Sequence, residues 1–404
     1  MITRFHVKNY KCLRDVDVQL KPFTVLIGKN DTGKTSFLEA VETLAILAGP
    51  SQDRWVHQPV EKLAWRGATP PTIEWNAEIA PSPRNHLTEA ASYHLGIAPG
   101  KGKRNGFSVA EETLSTAGAS IRVEPTPPRT PLRLIAEDGD KSTNFDRYSD
   151  RSVLSASWGN NDLQRICSVA QTMSAVATYR FSARLLAEPA DPGTLMLDPE
   201  QEPRLRPDGY GLPAVLDYLL GARRSAFDAI QQELHEAVPF VKSILLKSHR
   251  VLPNGPMGKA ISFELSETGY DISADLASDG VLLFLAYLTL VHSPSGPSII
   301  LLEEPENGIH PWQLKRIAEY LKRLTDPSRG TKAVQIVVAT HSPYFLDFVP
   351  PEDVLVFGRK PNGETVAAPI LTLPGVQKRI ESGFSLGEMW FNVGEDRLLA
   401  DLVK

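Results

Sequence analysis

In the stretch LIGKNDTGKTSFLEA, residues 26–40, Gly28 is followed by four spacer residues and then by Gly33, Lys34 and Thr35. Glycines at both ends let successive backbone N–H groups turn toward one concavity, and a helix starting there adds its positive N-terminal end. Such a loop suits phosphate oxygens. Gly28, Asn30, Asp31, Thr32 and Gly33 form the expected cradle, with Lys34 reaching the terminal phosphates. The Thr35 hydroxyl is a candidate ligand for Mg²⁺, and Ser36 follows at the helix N-terminus. A second group, SIILLEEPENGIHP at 298–311, is an apolar run that ends in adjacent carboxylates. Beside bound phosphate, Glu303 is expected to hold the metal and Glu304 to polarise the attacking water. Burying both acids without cations would be costly, which argues against a purely structural pair. A third run, QIVVATHSPYFLD at 335–347, carries His341 at the end of an apolar strand, where it is a candidate γ-phosphate sensor. A fourth, DLASDGVLLFLAYLTLV at 275–291, sets Ser278 and Gly280 at the start of an apolar helix. A helix N-terminus is a second anion-binding device, although Ser-Asp-Gly also caps ordinary helices.

These groups need strands and helices to hold them. FTVLI (23–27) reads as a buried strand before the glycine turn, and Phe37, Leu38, Val41, Leu44 and Ala45 recur at helical spacing until Gly49-Pro50 ends the helix. Residues 1–20 alternate as two strands joined near NYKCLRD. Between 71 and 145, TIEWNAEIA, SYHLGIA, SIRVE and PLRLIAE are short β-type runs in an antiparallel sheet, with GKGKRNG (100–106) as a basic hairpin tip. Residues 186–209 read as a long loop, 212–238 as helical, and VKSILLKSHRV and AISFELSETG as a further pair of strands. No repeat or long heptad run is present.

The whole chain sets limits. Its 404 residues, 42% hydrophobic and 23% charged, suit one large domain or two ordinary ones. A net charge of −5 argues against wholesale coating of a polyanion, so any nucleic-acid contact is expected to be local, transient or lent by a partner. Cys12 and Cys167 lack zinc spacing and suit a reducing compartment. The N-terminus has no signal-peptide core, and the apolar run 281–291 is too short to span a bilayer. The expectation is a soluble, cytoplasmic chain with no membrane partner.

The pieces FHVKNYKCLRDVDVQL, GKNDTGKTS, LASDG, LLEEPENGIHP and VVATHSP, in this order, resemble the ABC-type ATPase head of the SMC, Rad50 and RecF proteins. The resemblance is closest to stand-alone OLD-like AAA-family ATPases of prokaryotic defence systems. It implies an α/β fold: a P-loop NTPase head with a central, mostly parallel sheet, an antiparallel β subdomain and a helical insertion. The N-terminal part of the head then spans 1–185, with the β subdomain at about 71–145, a loop-rich helical and β insertion spans 186–274, and the C-terminal part of the head spans 275–404. GKNDTGKTS matches Walker A, and LLEEP matches Walker B with Glu304 as the catalytic glutamate. ASDG resembles the short ABC signature, which contacts ATP held by the other subunit. ENGIHP lies where a D-loop would be, with Asn307 and His310 facing the partner. His341 matches the switch histidine, and Lys11 the basic residue beside adenine or phosphate. Glu303 replaces the usual aspartate, which implies slower hydrolysis.

The resemblance further implies ATP and Mg²⁺ as ligands, and a homodimer, or a higher oligomer, closed by ATP. OLD nucleases add a nuclease domain with a paired-aspartate motif, but no Asp-x-Asp follows His341, so the chain is expected not to cut DNA by itself. The favoured output is control of a separate effector, a nuclease or toxin, in anti-phage defence. The alternatives are a RecF- or Rad50-like repair ATPase and an ATP-gated scaffold with negligible hydrolysis. DNA, if bound, is expected to be bound without sequence preference through Lys101, Lys103 and Arg104. Near the C-terminus, Phe384, Trp390 and Phe391 either dock a partner or close the core.

Overall fold

The computed structural model describes residues 1–50, 59–81, 87–100, 106–116, 119–123, 151–157, 164–191, 202–250, 257–293, 296–326, 328 and 333–403. In chain order the first elements are β1 (Ile2–Tyr10), β2 (Leu13–Gln19), β3 (Phe23–Ile27), α1 (Lys34–Ala48), α2 (Val60–Leu63), β4 (Ile73–Ile79), β5 (Ala91–Pro99), β6 (Phe107–Thr116) and β7 (Ala119–Val123). Next come α3 (Val153–Ala156), α4 (Gln164–Ser174), β8 (Val176–Tyr179), α5 (Ala183–Ala187), α6 (Leu212–Ala222), α7 (Arg224–Ala237), β9 (Val241–Arg250), β10 (Met257–Leu265) and β11 (Asp271–Ser273). The last are α8 (Asp279–His292), β12 (Ile299–Glu303), α9 (Pro311–Leu324), β13 (Gln335–Thr340), α10 (Pro343–Leu346), β14 (Val354–Arg359), β15 (Thr365–Pro369), α11 (Val376–Glu381), α12 (Leu386–Asn392) and α13 (Glu395–Leu399). The chain forms two compact units, one of residues 1–177, 298–301 and 332–404, the other of 178–297 and 302–331.

In the first unit, β2-β1-β4-β5-β6-β7 form one antiparallel sheet. Alternation places Ile73, Trp75, Ala77 and Ile79 on one buried face. The β-rich middle of the chain thus extends the sheet that β1 and β2 begin. The sequence reading missed β6, whose FSVAEETLST carries too many polar residues to stand out. The run PLRLIAE lies outside the described residues.

The second sheet has the order β15-β14-β3-β13-β12-β8. β3 runs parallel to β13 and to β14, while β15 returns antiparallel to β14. β12 passes into the second unit after Leu301, and β8 after Ala177. β3 is buried at every residue, as expected of a strand covered on both faces. Gln335, 1% exposed, ties the N-terminus to β13. Its Oε1 accepts from Ile2 N at 2.8 Å, and its Nε2 donates to Ile2 O at 2.6 Å and Lys21 O at 3.1 Å. α1 ends at Ala48, where Gly49 N still donates to Ile46 O, as Gly49-Pro50 implied.

In the second unit the expected helix over 212–238 is broken in two. Arg223, at φ −139° and ψ 52°, leaves the helical region between α6 and α7. The expected strand pair gains a third member, giving the sheet β11-β10-β9. α8 is buried from Val281 to Leu290, which explains its all-round apolar sequence. Among the described residues no helix is long and apolar enough to cross a membrane. Trp390 is buried and closes the core, while Phe384 and Phe391 are exposed.

Candidate functional site

The loop after β3 is shaped by backbone. A Cβ on Gly28 would stand 2.3 Å from Phe357 O in β14 and 2.8 Å from Thr32 Oγ1, so nothing larger than glycine fits unmoved. Gly33 has φ 101°, and a Cβ there would meet Thr365 Oγ1 at 2.4 Å and Cys12 Sγ at 3.0 Å. Between them Asp31 also adopts a left-handed conformation, φ 64°. Thr32 Oγ1 donates to Lys29 O at 2.8 Å. Lys34 opens α1 and is only 9% exposed. Its Nζ donates to Gly28 O, and to Lys29 O at 2.8 Å. No acid stands in the first turn of α1, so its N-terminal field is undiminished there. A buried ammonium, a helix N-terminus and a cradle closed to side chains fit phosphate oxygens. Thr35 and Asn30 are exposed and Ser36 is half-buried.

The hairpin of β14 and β15 braces this loop from far along the chain. Thr365 Oγ1 donates to Thr32 O at 2.9 Å, and Arg359 Nη1 donates to Asp31 O at 3.2 Å. Sequence reasoning missed both residues. The only signal was a Pro-Asn-Gly turn between two short apolar runs, which marks a hairpin but not what it touches.

His341 is exposed just beyond β13. The parallel register pairs Thr340 with Ile27, so His341 leaves its strand beside the start of the loop that follows β3. Ser342 N caps the turn by donating to Thr340 Oγ1 at 3.0 Å. Lys11 sits in the β1–β2 turn at φ 51°, with its Nζ paired to the Glu39 carboxylate on α1.

The remaining sequence candidates belong to the second unit. Glu303 closes β12 with its side chain 12% exposed, and Arg180 Nη1 stands 3.4 Å from its Oε2. Glu304 follows at φ 47°, a strained position for a residue with a long side chain. Asn307 Nδ2 donates to Glu304 Oε2 at 2.6 Å, and Asn307 N donates to Glu304 O at 3.1 Å. Asn307 thereby fixes the carboxylate within its own loop. Gly308, φ 77°, lies against the start of α8: a Cβ there would be 3.0 Å from Leu283 Cδ1, and one on Gly280 would be 3.0 Å from Gly308 O. The structure thus brings Gly280 to the loop after β12. Ser278 is the exposed N-cap of α8, with no side-chain capping bond. His310 caps α9, its Nδ1 accepting from Trp312 N at 3.3 Å.

Among the described residues no three His, Cys, Asp or Glu side chains cluster as a protein-only metal site. A magnesium ion held mainly by phosphate and water needs no such cluster, and the oxygen donors Thr35 and Glu303 suit it chemically. Lys101, Lys103 and Arg104 lie outside the described residues.

Residues 175–347 match a family model described as "AAA domain, putative AbiEii toxin, Type IV TA system", and residues 1–54 match one described as "AAA ATPase domain". An OLD nuclease from Thermus scotoductus is 45% identical over 42 residues, 10% of this chain and 8% of that protein. The match therefore spans less than a tenth of that relative. Among solved structures, an Smc head bound to the C-winged helix domain of ScpA aligns with TM-score 0.50 and 12% identity, over 91% of this chain and 96% of the other. An Smc head with an extended coiled coil, bound to the C-terminal domain of ScpA derived from Pyrococcus furiosus, aligns with TM-score 0.50 and 11% identity, over 94% and 98%. At such identities the likeness is one of fold, the α/β fold of a P-loop ATPase.

Proposed function

We propose that this chain, an SMC/Rad50-like, ABC-type ATPase head related to OLD-type proteins, binds and hydrolyses ATP within a nucleotide-closed homodimer and controls a separate effector protein, a nuclease or toxin, in anti-phage defence. The observation that carries the ATPase reading is the buried Lys34 ammonium inside a glycine cradle whose positions 28 and 33 exclude any side chain. Backbone N–H groups of Asn30 to Ser36 would face the phosphates, with Lys34 Nζ exchanging loop carbonyls for phosphate oxygens. Thr35 and Glu303 would hold magnesium, which when bound neutralises charge on the phosphate oxygens. Glu304, oriented by Asn307, takes the proton of the attacking water, and His341 donates toward the γ-phosphate.

The dimer part of the reading rests on Ser278, an exposed N-cap hydroxyl with no side-chain capping bond, and on Asn307, exposed in the loop whose Gly308 meets Gly280. Both suit a nucleotide held by a second copy. The effector part draws support from the type IV toxin–antitoxin description of the matched family and from the ScpA domains bound to the two Smc heads. Exposed Phe384 and Phe391 offer apolar surface of the kind partners cover. Phosphate release by wild type and Glu304→Gln tests the enzyme. Light scattering of Glu304→Gln with ATP and magnesium tests the dimer, which a persistently monomeric mass would rule out. No phosphate release from either protein would favour the ATP-gated scaffold instead.

A further inference from the structure

Arg180, paired with the proposed metal-holding Glu303, has no part in the ATPase chemistry so far described. β8 and β12 are neighbours in the sheet order, and their ends carry Arg180 and Glu303. Arg180 is the first residue beyond β8, and Glu303 is the last of β12. The Arg180 Nη1 donates to Glu303 Oε2 at 3.4 Å. The partners are unequally held. The Arg180 side chain is 66% exposed, while that of Glu303 is 12% exposed and ends a strand buried from Ile299 to Leu302. The carboxylate is the fixed member, and the arginine is a long side chain that can leave for solvent at little cost.

A carboxylate so nearly buried requires a cation close by. A guanidinium and a divalent metal ion cannot both occupy the space in front of Oε2, and at such range they repel. We propose that Arg180 is the counter-ion that Glu303 keeps until magnesium arrives, so that this arginine sets the magnesium concentration at which the chain takes up nucleotide. The inference rests on the reading of Glu303 as the metal-holding acid. Arg180 is a positioning residue: it holds the carboxylate in place without magnesium and yields when the metal binds.

The 404-residue chain is titrated with MgCl₂ at fixed mant-ATP, and anisotropy gives the magnesium midpoint of nucleotide binding. Loss of an exposed competing ion pair lowers that midpoint about two- to fivefold in Arg180→Gln. Arg180→Lys keeps a cation there and stays near wild type. Affinity for mant-ATP in EDTA is the same in all three proteins. An unchanged or raised midpoint in Arg180→Gln overturns the proposal, since a pair with only a structural role does not move it in the stated direction. Glu303→Gln separates the two failures: wild-type magnesium dependence in that variant overturns the metal reading of Glu303 and this inference with it. Loss of the dependence there, beside an unmoved Arg180→Gln midpoint, overturns only the role of Arg180.

Discussion

In the proposed ATPase, Glu304 joins the general-base role to backbone strain, and three substitutions separate the two. Its φ of 47° is one of four left-handed values at non-glycine positions among the described residues, with Asn9, Lys11 and Asp31. Holding a residue with a Cβ there costs about 1–2 kcal/mol, whereas glycine loses about 0.5–1 kcal/mol of additional chain entropy on folding. Glu304→Gly should therefore be more stable than Glu304→Ala by about 0.5–1 kcal/mol, because both lack the bond to Asn307 and differ only in the backbone they can adopt. Glu304→Gln keeps the side-chain length, a hydrogen-bonding partner for Asn307 and the strain, so its stability stays within about 0.5 kcal/mol of wild type. Removing a general base costs about 10²–10⁴ in rate, or roughly 3–5 kcal/mol of barrier. All three variants should lose hydrolysis by that factor. Urea midpoints and steady-state phosphate release, measured on the same preparations, give both quantities. Turnover above a tenth of wild type in Glu304→Gln would remove Glu304 from the chemistry. A glycine variant less stable than the alanine one would show that the left-handed turn is not where the strain lies.

Gly28→Ala places a methyl 2.3 Å from a backbone oxygen of β14, which cannot move as a side chain can. A loss of about 1–3 kcal/mol in urea unfolding and at least a tenfold weakening of mant-ATP binding are expected. Thr365→Val removes the donor to Thr32 O, worth about 1 kcal/mol. Its effect should fall on KM for ATP more than on kcat, because the loop is loosened while Glu304 is untouched. Gln335→Leu deprives Ile2 of both its bonds to that side chain and Lys21 O of one. Chemical denaturation should show a loss of about 3–5 kcal/mol, and a loss below 1 kcal/mol would mean that water replaces the amide. The Arg4 guanidinium lowers the Asp17 carboxyl below its ordinary value of 3.8. The unfolded chain therefore binds a proton there more readily, and this contribution to stability, complete above that value, is lost as pH falls through the lower folded value. Arg4→Gln should flatten that acid-side loss, a small effect for so exposed a pair, as read from urea midpoints at stepped pH.

The glycine-bounded turn after β3, the strand ending at Glu303 and the ends of α1 were legible because each is local. Gly28 to Ser36, Glu303-Glu304 and Gly49-Pro50 carry their geometry within a few residues, through φ preference, strand length and capping. The break between α6 and α7 was not legible, because Arg223 is an ordinary helix former and tertiary context sets its extended φ. β6 was missed for a related reason. A strand pairs on both sides whatever its own polarity, and β5 and β7 supply partners that FSVAEETLST does not advertise.

The least legible feature is also the one on which the loop depends. A Walker-type sequence specifies that a loop can curl around phosphate, yet the curl here is limited by atoms more than 300 residues away in the chain: Phe357 O behind Gly28, Thr365 Oγ1 behind Gly33, and Arg359 against the Asp31 carbonyl. No periodicity relates these positions. They meet because β14 lies parallel to β3 in register Val356↔Ile27, which fixes Phe357 beside Gly28, and because β15 then turns back antiparallel across the same end. The order of strands, rather than the motif, thus decides how tightly the cradle is closed. Transplanting residues 26–40 without β14 and β15 would carry over the glycines but not the surfaces that require them to be glycines.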